Sequence, residues 1–311
     1  MPRARVIVNP TAGRGAAVAF GAFAADTLAA VGYDAEVRPT TGPGHATVLA
    51  RDAGPVDRIV VVGGDGTLRE AAEALVGDGA PAVELGFVPM GNANVVAREL
   101  EIPLDPEGAL AVLERGVPRP VDVGVVDDRI FLAMVGVGYD AWVTRRVTAF
   151  RRTGFGGAFY RLWGDGAYGA IGGAALLVPF PRAVRVSVDG EPCADDAASV
   201  LVCNTETYAK GWAAAPGARV DDGALDVCAA RLRGPVGTAR WIVAQSRRRR
   251  VEGPRVRYAR GAAVRIESDR PFPWQADGDP MDDRTSLDLT VRPGALRVLA
   301  PAPARDDVRG S

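Results

Sequence analysis

Lysine and histidine are almost absent from this chain of 311 residues, which contains only Lys210 and His45. A P-loop requires a lysine directly after its last glycine, and the sequence around Lys210 does not have that pattern, so a P-loop nucleotide enzyme is excluded. A single histidine also argues against histidine-rich zinc sites, zinc proteases with paired histidines and Ser-His-Asp catalysis. Any acid–base chemistry must therefore depend on carboxylates.

Cysteine is scarce as well, with only Cys193, Cys203 and Cys228, each in strand-like sequence. Separated thiols of odd number in apolar runs are typical of small buried side chains in a reducing compartment. The apolar run within the first nine residues is too short for a signal peptide, and no other stretch is long enough to span a bilayer. We therefore expect a cytoplasmic protein whose membrane contact, at the inner face, is peripheral.

Excess charge of either sign is missing too. The chain has 37 basic and 38 acidic residues and a formal net charge of −1, which argues against a nucleic-acid partner because phosphate binding requires a basic face. Its apolar fraction of 48% and charged fraction of 24% are those of an ordinary globular protein. The length predicts two domains.

The first part of the chain, residues 1–122, alternates short apolar runs with segments of helical spacing. The apolar runs predict strands at 5–8, 59–62 and 85–89, and the amphipathic segments predict helices at 16–31, 46–52, 67–76 and 94–99. This alternation is typical of a Rossmann-like α/β domain with buried parallel strands. Glycines follow the strands, at the edge where such sheets bind ligands.

The second part, residues 123–300, has a different pattern of many short strands and turn signals. We expect a β-rich sandwich domain here, a tail at 301–311, and an active site in the cleft between the two domains. Strands are predicted at 121–126, 129–135, 183–188, 199–203, 225–230, 263–267, 273–276, 286–291 and 296–299, and helices at 141–175 and 235–251.

Two glycine-rich loops in the first domain carry the strongest chemical signal. The loop Asn9 to Gly15 separates a strand from a helix, and it suits either a phosphate cradle or a plain tight turn. The loop Gly63-Gly64-Asp65-Gly66-Thr67 has a carboxylate among its glycines. A Rossmann pyrophosphate loop avoids that charge, whereas a kinase can use it to hold Mg²⁺. A structural turn is the alternative for this loop.

These motifs, with others in order along the chain, resemble the diacylglycerol kinase catalytic-domain family of bacterial lipid kinases, which is related to sphingosine and ceramide kinases and distantly to NAD kinases. The resemblance runs from Val6 to about Ala300. The motifs that carry it are Asn9-Pro10 with Gly13, Thr40-Thr41, Gly44-His45-Ala46, the Gly-Gly-Asp-Gly-Thr loop, Pro89 to Asn94, Asp122, Asn204, Asp221-Asp222-Gly223 and Asp277-Gly278-Asp279.

The resemblance implies specific roles. Asp65 would anchor Mg²⁺ and water on the phosphates with help from Asp122, and Asp279 would be the general base that accepts the hydroxyl proton. ATP would lie against Asn9, Pro10, Thr11, Ala12, Gly13, Thr41, Gly64, Asp65, Gly66, Thr67, Leu68, Arg69, Glu70, Gly91, Asn92 and Asn94. A structural Mg²⁺ site would use Arg219, Asp222 and Ala224, with Asp222 as the side-chain ligand.

For two of these roles, a purely structural turn is an alternative interpretation. Asp279 also suits a hairpin turn, and the Asp-Asp-Gly segment at 221–223 suits an ordinary turn as well as a metal site. The chain departs from the family pattern at Asn92 and Val95, which replace a threonine and a carboxylate. Arg69 replaces an asparagine, and Asp279 is one methylene shorter than the usual glutamate.

The expected activity is transfer of the ATP γ-phosphoryl group to a diacylglycerol-like lipid. Alternatives are a sphingoid-base or ceramide kinase, an NAD kinase, which the Asn9-Pro10 start and the Asp-Asp-Gly segment disfavour, and an ATP-binding protein with weak or lost catalysis. The sequence leaves a homodimer open.

Membrane contact has its own candidate segment. The aromatic and arginine-rich stretch at 150–168 suits either a membrane-facing helix or a cover for the β domain. The run Arg247 to Arg250 is expected to be a solvated helix end rather than an anion site.

Overall fold

The computed structural model describes residues 1–77, 83–153, 183–208, 211–232, 234–251 and 253–302, which divide into two compact units. The first unit comprises Met1–Val121 and the chain from Gly294 onward, and the second comprises Asp122–Pro293. The mixed α/β class and the β-rich second part predicted from the sequence are both confirmed.

The elements of the first unit alternate between strand and helix. In chain order they are β1 (Arg3–Val8), a 3₁₀ helix (Ala12–Gly15), α1 (Ala17–Ala30), β2 (Asp34–Pro39), α2 (His45–Arg51), β3 (Arg58–Gly63), α3 (Asp65–Glu73), β4 (Glu84–Pro89), α4 (Val95–Glu99) and α5 (Pro106–Arg115). The next strand, β5 (Val117–Val126), leads into the second unit.

The second unit consists mainly of strands. They and its helices are β6 (Arg129–Phe131), β7 (Met134–Gly138), α6 (Tyr139–Arg152), β8 (Val184–Val188), β9 (Glu191–Ala197), β10 (Ser199–Cys203), β11 (Thr207–Tyr208), β12 (Trp212–Ala213), β13 (Leu225–Ala230), α7 (Gly234–Ser246), β14 (Val256–Gly261), β15 (Ala263–Phe272), β16 (Trp274–Ala276), β17 (Asp279–Pro280) and β18 (Arg284–Ala300).

A parallel sheet organises the first unit in the order β2, β1, β3, β4 and the end of β18. Every residue of β3 is buried, which explains why its sequence is continuously apolar after Arg58. The order places β2 on one side of β1 and β3 on the other, so the direction of winding reverses between β1 and β3. At such a switch point the carboxyl ends of two strands leave a crevice for a ligand.

The last strand, β18, has residues in both units. Arg297 and Val298 pair in parallel with Glu84 and Leu85 of β4, and residues from Gly294 onward therefore belong to the first unit. This differs from the predicted boundaries, which placed the whole stretch 123–300 in the second domain. The predicted strands at 286–291 and 296–299 are both parts of this one strand. Pro293 and Gly294 lie between the stretch that pairs with β15 and the stretch that pairs with β4.

The second unit packs two antiparallel sheets face to face. One sheet has the order β14, β13, β10, β7, β16 and β17, and the other joins the first part of β18 to β15, β8 and β9. Val137 and Val202 of the first sheet share one apolar core with Val186, Ile266 and Leu289 of the second. This is the sandwich that the sequence predicts.

Both helices predicted in the second part overlap observed ones. The predicted helix at 141–175 begins as α6 at Tyr139 and ends at Arg152, Thr153 is extended, and residues 154–175 of that prediction lie outside the described residues. The predicted helix at 235–251 is α7, which ends at Ser246, before the arginine run.

Burial on α1 provides a test of the core of the first unit. Leu28 is fully buried while Val18, on the same helix, is 56% exposed. Leu28→Ala should lower the free energy of unfolding by about 2–5 kcal/mol because it leaves a cavity. Val18→Ala should change it by less than about 0.5 kcal/mol. Equal unfolding midpoints for the two variants in urea would contradict this packing.

Candidate active site

The loops that follow β1 and β3 are joined by hydrogen bonds at the carboxyl edge of the first sheet. Asn9, which follows β1, donates from Nδ2 to the Thr67 hydroxyl in α3 over 3.1 Å. Its backbone N–H donates to the carbonyl of Val62 in β3 over 2.9 Å. Asn9 therefore holds the two loops together at the switch point of the sheet, where α/β proteins bind ligands.

The loop after β1 is fixed by its own polar groups. The N–H and hydroxyl groups of Thr11 both donate to Asn9 Oδ1, over 3.1 and 2.8 Å, and Ala12 donates its N–H to the Asn9 carbonyl. Gly13, with φ of 57°, donates its N–H to the Met90 carbonyl after β4 over 3.1 Å. These N–H groups are all bonded to acceptors within the protein. The loop therefore has a fixed conformation before any ligand binds.

Gly64 and Gly91 bring the loops after β3 and β4 into backbone contact. A Cβ atom added at Gly91 would lie 2.6 Å from the Cα of Gly64, and one added at Gly64 would lie 3.1 Å from the Cα of Gly91. Just before this contact, the N–H of Met90 donates to the Gly63 carbonyl over 2.6 Å. The two loops could not approach this closely with side chains at either position.

Asp65 connects the same two loops through its carboxylate. It lies in the first turn of α3, and its Oδ1 accepts the N–H of Val95, the first residue of α4, over 2.7 Å. By comparison with the family pattern, Val95 replaces a carboxylate. Its backbone N–H nevertheless contributes to the site, because it donates the hydrogen bond that holds Asp65. The side chain of Asp65 is partly buried, and carboxylate oxygens are ligands that Mg²⁺ prefers.

Asn94 shapes the turn after β4. It is buried, has a left-handed φ of 48°, and exchanges two hydrogen bonds with Gly91, at 3.0 Å to the Gly91 N–H and 3.1 Å to the Gly91 carbonyl. Asparagine is one of the residues that tolerate this backbone conformation. Gly91 and Asn92 are exposed, so they face solvent while Asn94 supports the turn from inside.

Thr41, after β2, is fixed by the only histidine of the chain. The N–H of Thr41 donates to His45 Nδ1 over 3.0 Å, and its hydroxyl lies 3.1 Å from the same nitrogen. A backbone N–H can only donate, so Nδ1 accepts and the ring proton of neutral His45 is on Nε2. The contact of His45 with Thr41 is therefore a supporting one, which fixes the backbone after β2.

Three of the residues expected at the nucleotide have side chains engaged within the fold. Leu68 is fully buried, and Arg69 pairs with Glu73 over 3.0 Å along α3. Glu70 accepts the N–H of Ala46 at the start of α2 over 3.2 Å. Among the residues 64–70 that were expected at the nucleotide, Gly66, in the first turn of α3, is the exposed one.

Asp122 lies in the second unit and organises the Asp-Asp-Gly turn. Its side chain is buried, and Oδ2 accepts the N–H of Gly223 over 2.6 Å. Its backbone N–H donates to Val220, and its carbonyl accepts from Asn204 Nδ2 over 2.9 Å. Asp122 therefore sets the shape of the turn that contains the predicted metal ligand Asp222.

The turn at Arg219 to Ala224 offers oxygen ligands around Asp222. Both carboxylate oxygens of Asp222 are buried and receive no hydrogen bond from the described residues, although the Arg260 guanidinium contacts Oδ2 as an ion pair. Burial raises the pKa of nearby Asp226, the charge of Arg260 lowers it, and Asp222 raises it. Within the described part of the chain, no cluster of three histidine, cysteine or acidic side chains is placed to hold a metal. A cation here would therefore depend on Asp222 and backbone carbonyls, which are donors that fit Mg²⁺.

Asp279 is exposed at the end of a two-residue hairpin turn between β16 and β17. The turn residues Asp277 and Gly278 have φ of 47° and 88°, as a tight hairpin of this kind requires. The carboxylate of Asp277 accepts the N–H groups of Leu132, Ala133 and Met134 over 2.8–3.0 Å. Sequence reasoning gave Asp277 no role, although the Asp-Gly pair in a hairpin is itself a signal for a fixed turn.

Comparison with known proteins matches both units. Residues 3–126 match the family described as the diacylglycerol kinase catalytic domain. Residues 133–300 match the family described as the YegS C-terminal NAD kinase beta sandwich-like domain. A protein named "Probable lipid kinase YegS-like" from Pseudomonas aeruginosa (strain UCBPP-PA14) is 34% identical over 87% of this chain and 86% of its own length. The chain belongs to the YegS-like lipid kinase family.

Two further proteins are similar to this chain over nearly its whole length. A protein named "Diacylglycerol kinase" from Bacillus subtilis (strain 168) is 28% identical over 90% of this chain and 90% of its own length. The crystal structure of a diacylglycerol kinase from Bacillus anthracis str. Sterne superposes with a TM-score of 0.73 at 22% identity, covering 97% of each chain. This last similarity concerns the fold.

The contact between the loops of this lipid kinase can be tested with one methyl group. Gly91→Ala should weaken ATP binding by at least about tenfold and lower thermal stability, because the new Cβ collides with the Gly64 backbone. Gly42→Ala is the control, since a Cβ there meets no atom within 4 Å. Calorimetric titration with ATP and a melting curve measure both effects. Unchanged binding in Gly91→Ala would show that the approach of the loops is not required.

Proposed function

We propose that this lipid kinase transfers the γ-phosphoryl group of ATP to the hydroxyl of a diacylglycerol-like lipid and gives a phosphatidic-acid-type product. The observation that supports this most directly is the hydrogen-bonded assembly of three glycine loops around Asp65. Phosphoryl transfer depends on alignment and charge neutralisation more than on covalent catalysis. A rigid set of loops with one carboxylate at the switch point of a parallel sheet suits that requirement.

In this proposal the phosphates of ATP lie against the exposed surfaces of Thr11, Gly66, Gly91 and Asn92. Asp65 would hold Mg²⁺, which neutralises charge on the phosphates when it is bound. Val95 keeps the carboxylate of Asp65 in one orientation by its hydrogen bond to Oδ1. Asp222, with the carbonyls of Arg219 and Ala224, would hold a second, structural Mg²⁺ on the second unit.

The acceptor step uses Asp279. Its carboxylate takes the proton of the lipid hydroxyl while that oxygen forms a bond to the γ-phosphorus, and the bond between the γ-phosphorus and the β–γ bridging oxygen breaks to release ADP. An exposed carboxylate on a fixed turn suits a base that must meet a bulky substrate. The proposal therefore assigns the binding of ATP to residues of the first unit and the acceptance of the proton to Asp279 of the second.

Alanine variants of the two carboxylates test this assignment. Asp65→Ala and Asp279→Ala should each lower kcat/KM by at least about 100-fold. Asp279→Ala should melt near the wild-type temperature, whereas Asp65→Ala should melt somewhat lower because the Val95 N–H loses its acceptor. Asp26→Ala and Asp128→Ala, one exposed aspartate in each unit, are matched controls and should keep full activity.

The assay follows ADP release with Mg²⁺ and dispersed diacylglycerol, and then identifies the labelled lipid. Labelled sphingoid base or ceramide in place of phosphatidic acid would reassign the acceptor. ATP binding without ADP release on any lipid would indicate an ATP-binding protein with lost catalysis.

We also propose that the second unit meets an anionic membrane surface through α7. No helix in the described ranges is long and apolar enough to cross a bilayer. On α7, however, Val236 is 74% exposed and Val243 is 45% exposed, with exposed Arg240 between them in sequence and Arg247 just after the helix. Exposed apolar side chains among arginines suit contact with acyl chains and anionic headgroups. The aromatic segment at 150–168, which suits either this role or a cover for the β domain, lies outside the described residues from position 154 onward.

Serine substitutions test this surface. Val236→Ser with Val243→Ser should reduce sedimentation with vesicles of phosphatidylglycerol and phosphatidylcholine by about threefold or more, because two valine contacts with the membrane are lost. The control pair, Val18→Ser with Val48→Ser, changes two valines of similar exposure on the first unit. Equal vesicle binding by both double variants would exclude α7 as the contact.

A further inference from the structure

The polypeptide before Asp279 is anchored by a buried amide. Gln275 lies in β16, directly opposite Gly136 of β7, and it is almost completely buried. Its Oε1 accepts the N–H of Gly278 over 2.7 Å, and its Nε2 donates to Oδ2 of Asp140 over 2.8 Å. Both ends of the amide are therefore used, one on the turn and the other on α6.

The Gly278 N–H, the Gln275 amide and the Asp140 carboxylate form a chain of two hydrogen bonds, called the relay below. The backbone fixes which group donates in each of them. The N–H of Gly278 can only donate, so the atom of Gln275 that faces it must be the oxygen. The amide nitrogen then faces Asp140, which must accept. Burial raises the pKa of Asp140 to about 6, and the hydrogen bond from Gln275 acts in the opposite direction by favouring the charged form. At neutral pH the carboxylate is thus mainly ionised and accepts from the amide.

The space around the relay is also closely fitted. A Cβ added at Gly136 would lie 2.1 Å from Asp140 Oδ2 and 2.7 Å from Gln275 Nε2. The hydrogen bond between the two side chains therefore passes directly over a residue that has no side chain. An amide and a carboxylate packed this tightly have little freedom to take other rotamers.

The same helix also contacts the chain that follows Asp279. Arg145, five residues after Asp140 on α6, donates from Nη2 to the carbonyl of Met281 over 2.7 Å and to Asp283 Oδ1 over 2.6 Å. Asp279 thus lies between two held points: Gly278, which is linked to α6 through Gln275, and Met281, which Arg145 of α6 contacts directly.

We propose that Asp140, Gln275 and Arg145 are positioning residues that hold Asp279 for proton transfer. The inference rests on the proposed function, in which Asp279 accepts the hydroxyl proton. It assigns α6 a role in the reaction although none of these three side chains needs to touch the substrate. A displaced base lowers the rate of the chemical step and leaves ATP affinity unchanged.

A reversal of hydrogen-bond polarity tests the relay. Gln275→Glu keeps an acceptor for Gly278 but sets a second carboxylate against Asp140, and kcat should fall by at least about tenfold because the turn is displaced. Asp140→Asn alone keeps a carbonyl oxygen for Gln275, and kcat should stay within about threefold of the wild type. In the double variant the new amide at position 140 donates to the new carboxylate at position 275, and kcat should recover to within about threefold.

A second pair of variants tests the other contact. Arg145→Ala should lower kcat by about fivefold or more, since the chain after Asp279 loses two hydrogen bonds. Arg146→Ala is the matched control on the same helix, where the guanidinium packs over the Trp142 ring, and it should keep kcat. The affinity for ATP, measured by calorimetric titration, should be the same in all of these variants.

The results separate this inference from the proposed function. Loss of kcat in Gln275→Glu with recovery in the double variant supports the relay, because a purely structural defect would not be repaired by a second substitution that reverses one hydrogen bond. Wild-type kcat in Gln275→Glu, or no recovery in a double variant that melts like the wild type, would overturn it. Full activity of Asp279→Ala, or no transfer by the wild type, would instead remove the proposed function.

Discussion

The hydrogen bond from the Val95 N–H to Asp65 Oδ1 is the interaction on which the candidate site depends. It ties the loop after β3 to the loop after β4, and Asn9 adds the loop after β1. Because all three loops follow parallel strands, they meet at one edge of one sheet. A carboxylate with one oxygen fixed in this way presents its charge in a constant direction, which electrostatic stabilisation requires.

Much of the first unit could be predicted because its signals are local. Buried parallel strands have continuous apolar sequence, and glycines after strands mark ligand loops, so β3 and the Asp65 loop were identifiable from the residues alone. The contacts of Val95 and Glu70 were not, since they join loops and helices that are separated in sequence. Nothing in the neighbouring residues indicates which backbone N–H a carboxylate will accept.

The second unit shows the limit of local patterns most clearly. The chain has an Asp-Gly hairpin turn at Asp189-Gly190, with φ of 50° and 85°, and another at Asp277-Gly278, with φ of 47° and 88°. In each, the aspartate accepts backbone N–H groups from a neighbouring strand or loop. The sequence of the turn predicts its geometry in both places. The local sequence does not distinguish the second turn as a candidate for chemistry; the family resemblance does so, because it implies that the base is Asp279, directly after that turn.

The last strand has a consequence for how the protein is made. Arg297 and Val298 complete the sheet that begins with β1, yet they are synthesised after the entire second unit. While the ribosome is still translating residues 122–293, β4 has no partner on that side and its edge is open. Folding of the nascent first unit therefore cannot finish until nearly the whole chain has emerged, and that open edge must stay protected from pairing with other chains in the meantime.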